Sequence, residues 1–282
     1  MIYYVKIIKM EELMDPFLKW AGGKRWLVEK KLCPIPENYN SFCEPFVGSG
    51  AMLFHLVPNS AIINDINSDL IETYQALADD WEAIFQVLVD YDKKHSKEFY
   101  YKIRDYSPRE PHLKAARFIY LNRTCWNGLY RVNLDGKFNV PKGTKEKVVL
   151  TTDNFQAVAE LLKKCAIRNE DFQTVIDETQ DGDFLFVDPP YTIKHNNNGF
   201  VKYNEKMFSW EDQVRLSDTI KSAAKRGVQF VVTNAKHSCI EELYKGFVQI
   251  PLRRASVIAA SSQNRGIYEE LLITNIDNYQ KG

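Results

Sequence analysis

The chain of 282 residues has no surplus of either charge, since 37 Lys and Arg face 37 Asp and Glu. A protein that grips nucleic acid over its whole surface is basic, so the overall balance argues against that class. Long apolar runs are missing too, and none reaches the roughly 20 residues that cross a bilayer. Residues 1–10 are apolar but too short for a secretory signal and lack a small-residue cleavage site. A strand or a frayed extension is expected there, with residence in the cytoplasm. Cys33, Cys43, Cys125, Cys165 and Cys239 are odd in number and form no Cys-x-x-Cys pair, which speaks against a disulfide framework and a zinc site. None of the five histidines has a partner at metal spacing, so no metal is expected. Repeats and low-complexity linkers are also absent. What remains is a chain long enough to bury a full core and to hold one large domain with an insertion.

Asp188-Pro189-Pro190-Tyr191 follows the apolar run Phe184-Leu185-Phe186-Val187, placing a stiff acidic and aromatic tetrapeptide at a strand end. Open α/β sheets do their chemistry at such ends. Two prolines fix two φ angles and remove two N–H donors, so the corner offers acceptors and a flat ring. It suits a planar substrate carrying an amine: a carboxylate and a carbonyl accept the amine hydrogens while the ring stacks on Tyr191. A Pro-rich turn after a buried strand is the plain alternative, and the rest of the chain must decide.

Glu44-Pro45-Phe46-Val47-Gly48-Ser49-Gly50 before Ala51-Met52-Leu53-Phe54 reads as strand, glycine turn and helix. Only two of the three glycines of a dinucleotide fingerprint are present, which argues against an oxidoreductase. Ala61-Ile62-Ile63-Asn64-Asp65 is a second short strand, ending in an acid at the distance of a ribose-binding carboxylate. Asp65 could instead cap a helix starting near Ser68. Upstream, Lys19-Trp20-Ala21-Gly22-Gly23-Lys24 surrounds a Gly-Gly pair with cations but fails the phosphate-loop spacing. A ligand without phosphate, whose amino-acid carboxylate Lys24 could hold, fits better, and S-adenosylmethionine is such a ligand.

The neutral total conceals an uneven distribution. Residues 93–147 carry fourteen Lys and Arg against five Asp and Glu, a surplus of nine that the remainder offsets. A basic lobe on an acidic body is an electrostatic footprint for gripping phosphates. Periodicity over residues 70–91 and 112–121 predicts that this lobe is largely helical. From Trp126 to Pro141 cations alternate with aromatics and Asn, and Leu134-Asp135-Gly136 is a hairpin turn signal.

Taken in order, these segments resemble the DNA adenine-N6 methyltransferases of the Dam type, in the alpha arrangement of motifs. The matching residues are 16–24, 44–50, 64–67, 122–133 with 136–141, and 188–191, so the likeness covers nearly the whole chain. The resemblance implies methyl transfer from S-adenosylmethionine to N6 of an adenine flipped out of double-stranded DNA, in the site GATC. Asp188, Pro189, Pro190 and Tyr191 would then be catalytic. Trp20, Ala21, Gly22, Lys24, Glu44, Pro45, Phe46, Gly48, Gly50, Asp65 and Asp188 would hold the cofactor, with Asp171 or Phe172 against its adenine. On the DNA side stand Lys19, Arg123, Trp126, Asn127, Leu129, Arg131, Asn139 and Pro141, with Arg131 reading a guanine. Lys142 and Lys145 would meet phosphates. Trp126 stands where the family usually has Tyr or Phe, a larger ring that can still wedge or stack where the target base leaves the helix.

The expected fold is α/β, a Rossmann-like doubly wound sheet of the S-adenosylmethionine-dependent methyltransferase kind. Residues 1–67 and 152–282 would form the catalytic domain, and 68–151 an inserted, mainly helical recognition lobe with a β-hairpin. The polar stretch His195–Gly199 would make a loop over the base pocket. No obligate protein partner is expected, so the chain would act as a monomer near the nucleoid. A methyltransferase for RNA or a protein amide would share the corner but have no use for the middle signature. A catalytically silent DNA-binding relative would lose the corner, which is intact here.

Overall fold

The computed structural model describes residues 14–133, 135–192, 208–255 and 267–276. The strands β1 (Phe42–Glu44), β2 (Ala61–Asn64), β3 (Cys165–Arg168), β4 (Phe184–Val187), β5 (Gln229–Ala235), β6 (Val248–Ala255) and β7 (Ile267–Thr274) form one sheet in the order β3-β2-β1-β4-β5-β7-β6. The first five of that order run parallel, and β7 is antiparallel to both β5 and β6. The strand order reverses between β1 and β4, so the loops leaving these two strands open a crevice at the switch point. The glycine turn after Glu44 and the corner at Asp188 therefore arrive side by side.

Around the sheet lie α1 (Arg25–Glu29), α2 (Ala51–Leu56), α3 (Ser68–Lys94), α4 (Lys97–Asp105), α5 (Pro111–Thr124), α6 (Phe155–Leu162), α7 (Phe172–Asp177), α8 (Trp210–Lys225) and α9 (Ser238–Leu243). Central parallel strands are apolar throughout because both their faces are covered. Phe184 and Phe186 join Phe42, Ile63 and Val231 in a core shared with α2, α3, α5 and α6. Leu185 and Val187 join Cys43, Phe230 and Val232 in a second core, closed by α7, α8 and α9. The doubly wound α/β fold expected from the sequence is the one adopted.

Helix α3 begins at its cap Asn67, whose side chain accepts from the Leu70 N–H, and it breaks at Asp80, where φ is −149° and ψ 69°. Asp80 Oδ1 accepts from the Ala83 N–H at 3.0 Å and restarts the helix. Leu70, Ile71, Tyr74, Leu77, Ile84, Leu88 and Tyr91 form its buried stripe at helical spacing. The core on this face passes without a break from Phe42 and Phe184 through Tyr74 to Tyr100 and Tyr120. After α5 a single turn of 3-10 helix, Trp126–Gly128, leads into a hairpin. That hairpin rests on two isolated antiparallel bridges, Cys125 with Lys142 and Val132 with Phe138, rather than on a continuous ladder. Asn133 Oδ1 closes its turn by accepting from the Asp135 and Lys137 N–H groups. Leu134, the loop His195–Gly199 and the stretch Met1–Met10 lie outside the described residues.

Arg123 corrects the sequence reading. It was expected on DNA, yet it is 4 % exposed and lies in the last turn of α5, which is buried from Phe118 to Thr124. Its five guanidinium N–H donors are all directed inward: Nη1 and Nη2 to the two Asp153 oxygens at 2.7 Å each, Nη1 also to Val148 O, and Nε with Nη2 to Phe17 O. This fork fastens the strand-less segment at Phe17 and the chain entering α6 onto α5. Removing one partner of such a pair costs about 3–5 kcal/mol, because the other charge is left buried and unpaired. Arg123→Met should therefore lower the melting temperature sharply and leave the salt dependence of DNA binding as it was. An unchanged melting temperature with a flattened salt slope would return Arg123 to the DNA.

Candidate active site and DNA-facing surface

The loop leaving β1 is shaped by Gly48, whose φ is +47°. A Cβ there would stand 2.7 Å from Cδ1 of Trp20, so the backbone and the indole are in direct contact. The Gly48 N–H donates to Asp65 Oδ2 at 3.1 Å, and the Asn67 N–H to Asp65 Oδ1 at 3.0 Å. Asp65, at the end of β2, is thus the brace of the glycine loop; the cap of α3 is Asn67. Burial raises the Asp65 carboxyl above its ordinary range, against the opposing pull of these backbone donors. Glu44 closes β1 from beneath, with Oε2 accepting from the Leu53 N–H at 3.3 Å. Burial pushes its carboxyl well above the usual carboxylate range, and Asp188 and Asp65 add to the effect.

Beyond β4, Asp188 meets Lys24, which comes from the glycine segment before α1. The Lys24 ammonium is 3 % exposed and lies 2.7 Å from Gly22 O, 2.8 Å from Asp188 Oδ1 and 3.7 Å from Glu270 Oε2. Gly22 O and Asp188 Oδ1 lie within hydrogen-bond distance of it, and Glu270 adds an ion pair at longer range. Lys24, expected to hold a ligand carboxylate, is paired here with Asp188 and lies near Glu270. Thr233 Oγ1 donates to the same Asp188 Oδ1 at 2.6 Å. Tyr191 donates its hydroxyl to Glu270 Oε2 at 3.0 Å, and Lys24 Nζ lies 4.9 Å from the centre of its ring. Gln213 Nε2 donates to Pro190 O at 3.1 Å and is itself held by Asn234, whose Nδ2 donates to Gln213 Oε1 at 3.0 Å. Thr233, Gln213 and Glu270 were not foreseen as site residues. Thr233 and Glu270 arrive through strand pairing, since β5 adjoins β4 and β7 runs antiparallel to β5 with Glu270 at the same sheet edge.

Asp171 and Phe172 follow β3 at this edge. Asp171 Oδ1 accepts from the Gln173 N–H at 2.9 Å, and its carboxylate is paired with Arg215, which holds it below the usual range. The Arg215 guanidinium covers the Phe172 ring at 4.1 Å. Phe172 is buried and packs on Phe46, ring centres 5.5 Å apart, while Phe46 is half-buried. Among the described residues no group of His, Cys, Asp and Glu could hold a metal.

The opposite wall carries the hairpin. Asn122 clamps it to the cofactor-side segment: it accepts from the Lys19 N–H at 2.8 Å, returns an N–H to Lys19 O at 2.8 Å, and reaches Gly128 O at 3.4 Å. Gly128 has φ +64° and leaves no space for a Cβ, which would meet the Lys19 side chain at 2.7 Å. Tyr130 stacks on Trp20 with ring centres 5.6 Å apart and donates its hydroxyl to Asp69 at 2.7 Å. Trp126, Asn127, Arg131, Asn139 and Pro141 are exposed, as is Lys19, and Leu129 is half-buried. Across the hairpin Arg131 Nε donates to Asn139 Oδ1 at 2.8 Å, which extends the guanidinium from a fixed root. Lys142 is drawn into an ion pair with Glu146 at 2.7 Å, so Lys145, which is exposed, is the better placed of the two for a phosphate.

Residues 20–257 match the model of the D12 class of N6 adenine-specific DNA methyltransferases. The chain belongs to that class. The type II methyltransferase M1.LlaDCHI of Lactococcus lactis subsp. cremoris is 38 % identical over 275 residues, covering 94 % of this chain and 96 % of that one. M.MjaIII of Methanocaldococcus jannaschii, also a type II methyltransferase, is 35 % identical with 93 % and 99 % covered. The DNA adenine methylase of Serratia marcescens is 30 % identical with 91 % and 96 % covered. The class acts on double-stranded DNA with S-adenosylmethionine as methyl donor. The edge described above fits that donor: the acidic groups of Asp65 and Asp188 at the ends of β2 and β4 offer hydrogen-bond acceptors, and the aromatic pair Phe46 and Phe172 offers an apolar wall for its adenine. No described helix is long and apolar enough to cross a membrane.

Because Asp65 satisfies two backbone N–H groups of the loop, Asp65→Ala should cost about 1–3 kcal/mol of stability from the donors left unpaired. Thermal unfolding of the ligand-less protein reads this directly. An unchanged melting temperature would mean that the brace between β2 and the glycine loop contributes nothing.

Proposed function

We propose that this protein is a site-specific DNA methyltransferase that methylates N6 of an adenine flipped out of double-stranded DNA, within GATC. The observation that carries the reading is the Asp188 corner at the switch point, set opposite a hairpin that holds Arg131 outward. Residues 68–151 are proposed to read the target, and the sheet to perform the transfer. An adenine inside the duplex cannot reach a carboxylate at the sheet edge, so flipping is required, at a cost of about a few kcal/mol.

S-adenosylmethionine, held by these residues, would supply an electrophilic methyl group and leave as the neutral thioether, and the amine that receives it would pass one proton by way of Asp188 Oδ2 to solvent. Asp65 would accept from the ribose hydroxyls with the lone pairs its backbone donors leave, and Phe46 with Phe172 would pack against the adenine. Lys24 and Thr233 both engage Asp188 Oδ1, so the incoming amine would meet Oδ2, with the Pro189 carbonyl as its second acceptor. Those two hydrogen bonds draw the N6 lone pair out of conjugation with the ring and aim it. Asp188 acts as an acceptor fixed in place rather than as a strong base, which is positioning and electrostatic alignment. Lys24 covers one face of Tyr191, leaving the opposite face for the flipped base.

GATC follows from the resemblance of residues 122–141 to the Dam type, supported by the exposure of Arg131 and Lys19 on one surface. The names of the relatives include both DNA adenine methylases and type II methyltransferases, and the latter favour a role in restriction and modification.

Asp188→Ala should reduce turnover about 100-fold or more while the protein stays folded and retains DNA, since the lost acceptor matters mainly in the transition state. Turnover above about a tenth of the starting value would make the corner structural. Sequencing of methylated bases in DNA exposed to the protein tests the site itself, and marks on cytosine or on adenine in another tetranucleotide would refute it. In the same assay Arg131→Ala should relax discrimination at one base pair by about 1–3 kcal/mol, whereas Lys145→Ala should weaken all sequences alike.

A further inference from the structure

Tyr191 is anchored at its backbone, over one ring face and at its hydroxyl. Pro190 restricts the backbone entering it, and Gln213 holds the Pro190 carbonyl. Lys24 lies over one ring face, and Glu270 Oε2 accepts the hydroxyl at 3.0 Å while standing 3.7 Å from Lys24 Nζ. The hydroxyl stays a donor, because burial first, and the neighbouring Asp188 and Glu270 second, raise the phenol well above its ordinary range. Glu270 comes from β7, where it pairs with Ala235 at the end of β5, two residues beyond Thr233. The same antiparallel pairing thus delivers Thr233 to Asp188 and Glu270 to Tyr191. Glu270 itself is 7 % exposed, a depth at which a carboxylate is costly unless it is paired and hydrogen-bonded.

We propose that Glu270 is a positioning residue of the methyl-transfer site: by holding the Tyr191 hydroxyl and sharing Lys24 with Asp188, it fixes the plane on which the flipped base stacks. The inference rests on the reading of the Asp188 corner given above. An aromatic ring on a single Cα–Cβ axis swings unless its far end is held, and a swing of the stacking plane by about 1 Å at the amine costs roughly 100-fold in turnover. Glu270 acts through Tyr191 and Lys24 and does not touch the substrate itself.

The test uses the full chain with DNA carrying 2-aminopurine at the target adenine, alongside turnover on ordinary DNA. Glu270→Leu removes the acceptor and the charge, whereas Glu270→Gln keeps an acceptor for the hydroxyl. The expected result is a loss of about 100-fold in kcat for Glu270→Leu, rescue to within about tenfold by Glu270→Gln, and KM for DNA and the Kd of S-adenosylmethionine held within about threefold. The 2-aminopurine emission of the DNA complex should change in Glu270→Leu, because the ring that quenches the flipped base is no longer held. Combining Glu270→Leu with Tyr191→Phe should be no worse than Glu270→Leu alone, since both break one link. The proposal is overturned by full turnover in Glu270→Leu, by effects of the two substitutions that multiply, or by a fall in melting temperature accompanied by equal losses of cofactor and DNA binding. Asp188→Ala separates the two ideas: activity in that variant removes the corner, whereas its inactivity beside an active Glu270→Leu removes only the role of Glu270.

Discussion

A buried ammonium governs this molecule. Lys24 is almost wholly removed from water, a state that costs several kcal/mol for an unpaired ion. Its neighbours Gly22 O, Asp188 and Glu270 come from three separate parts of the chain, the segment before α1, the exit of β4 and the antiparallel strand β7. Each of them offsets part of the cost of burying the ion. The geometry of the corner is therefore enforced by electrostatics as well as by the two prolines, and Asp188 is held through one oxygen, Oδ1.

The two halves of the site depend on one segment with no regular secondary structure. Residues 14–24 run between the sheet and the helices of residues 68–124, and successive side chains face different partners. Phe17 lies among Phe54, Tyr74 and Phe155, the Lys19 backbone is held at both its N–H and its carbonyl by Asn122, Trp20 is pressed between Gly48 and Tyr130, and Lys24 reaches Asp188. Because the core of the first sheet face continues into the helices of residues 68–124, the hairpin is seated on the same packed surface as the glycine loop after β1.

Much of this was legible from local pattern. The four apolar residues before Asp188 could only be a strand covered on both faces, and the doubly wound topology then placed the glycine turn beside the corner. The failures share a cause, which is partnership across long separations. Asn-Arg-Thr at residues 122–124 reads as a polar surface, yet α5 is enclosed by the N-terminal segment, α3 and the hairpin, so Arg123 turns inward to Asp153. Asp65 and Asn67 are both good caps by composition, and only the direction of the backbone after β2 decides that Asn67 takes the helix and Asp65 the glycine loop. Glu270 and Thr233 reach the site because β7 inserts between β5 and β6, a pairing that no short window of sequence contains.

The segment at residues 14–24 also fixes when the site can exist during synthesis. It is made before its partners, which follow far behind in the chain: Asn122 for Lys19, Asp153 through Arg123 for Phe17, and finally Asp188 and Glu270 for Lys24. Contacts so distant in sequence form slowly, since loop closure precedes any gain from them. The helices of residues 68–124 pack on one another through nearer neighbours and have their partners earlier. A nascent chain can thus pack the helices of residues 68–124 before Lys24 has both of its carboxylates, and the corner at Asp188 is complete only after β7 has closed the sheet.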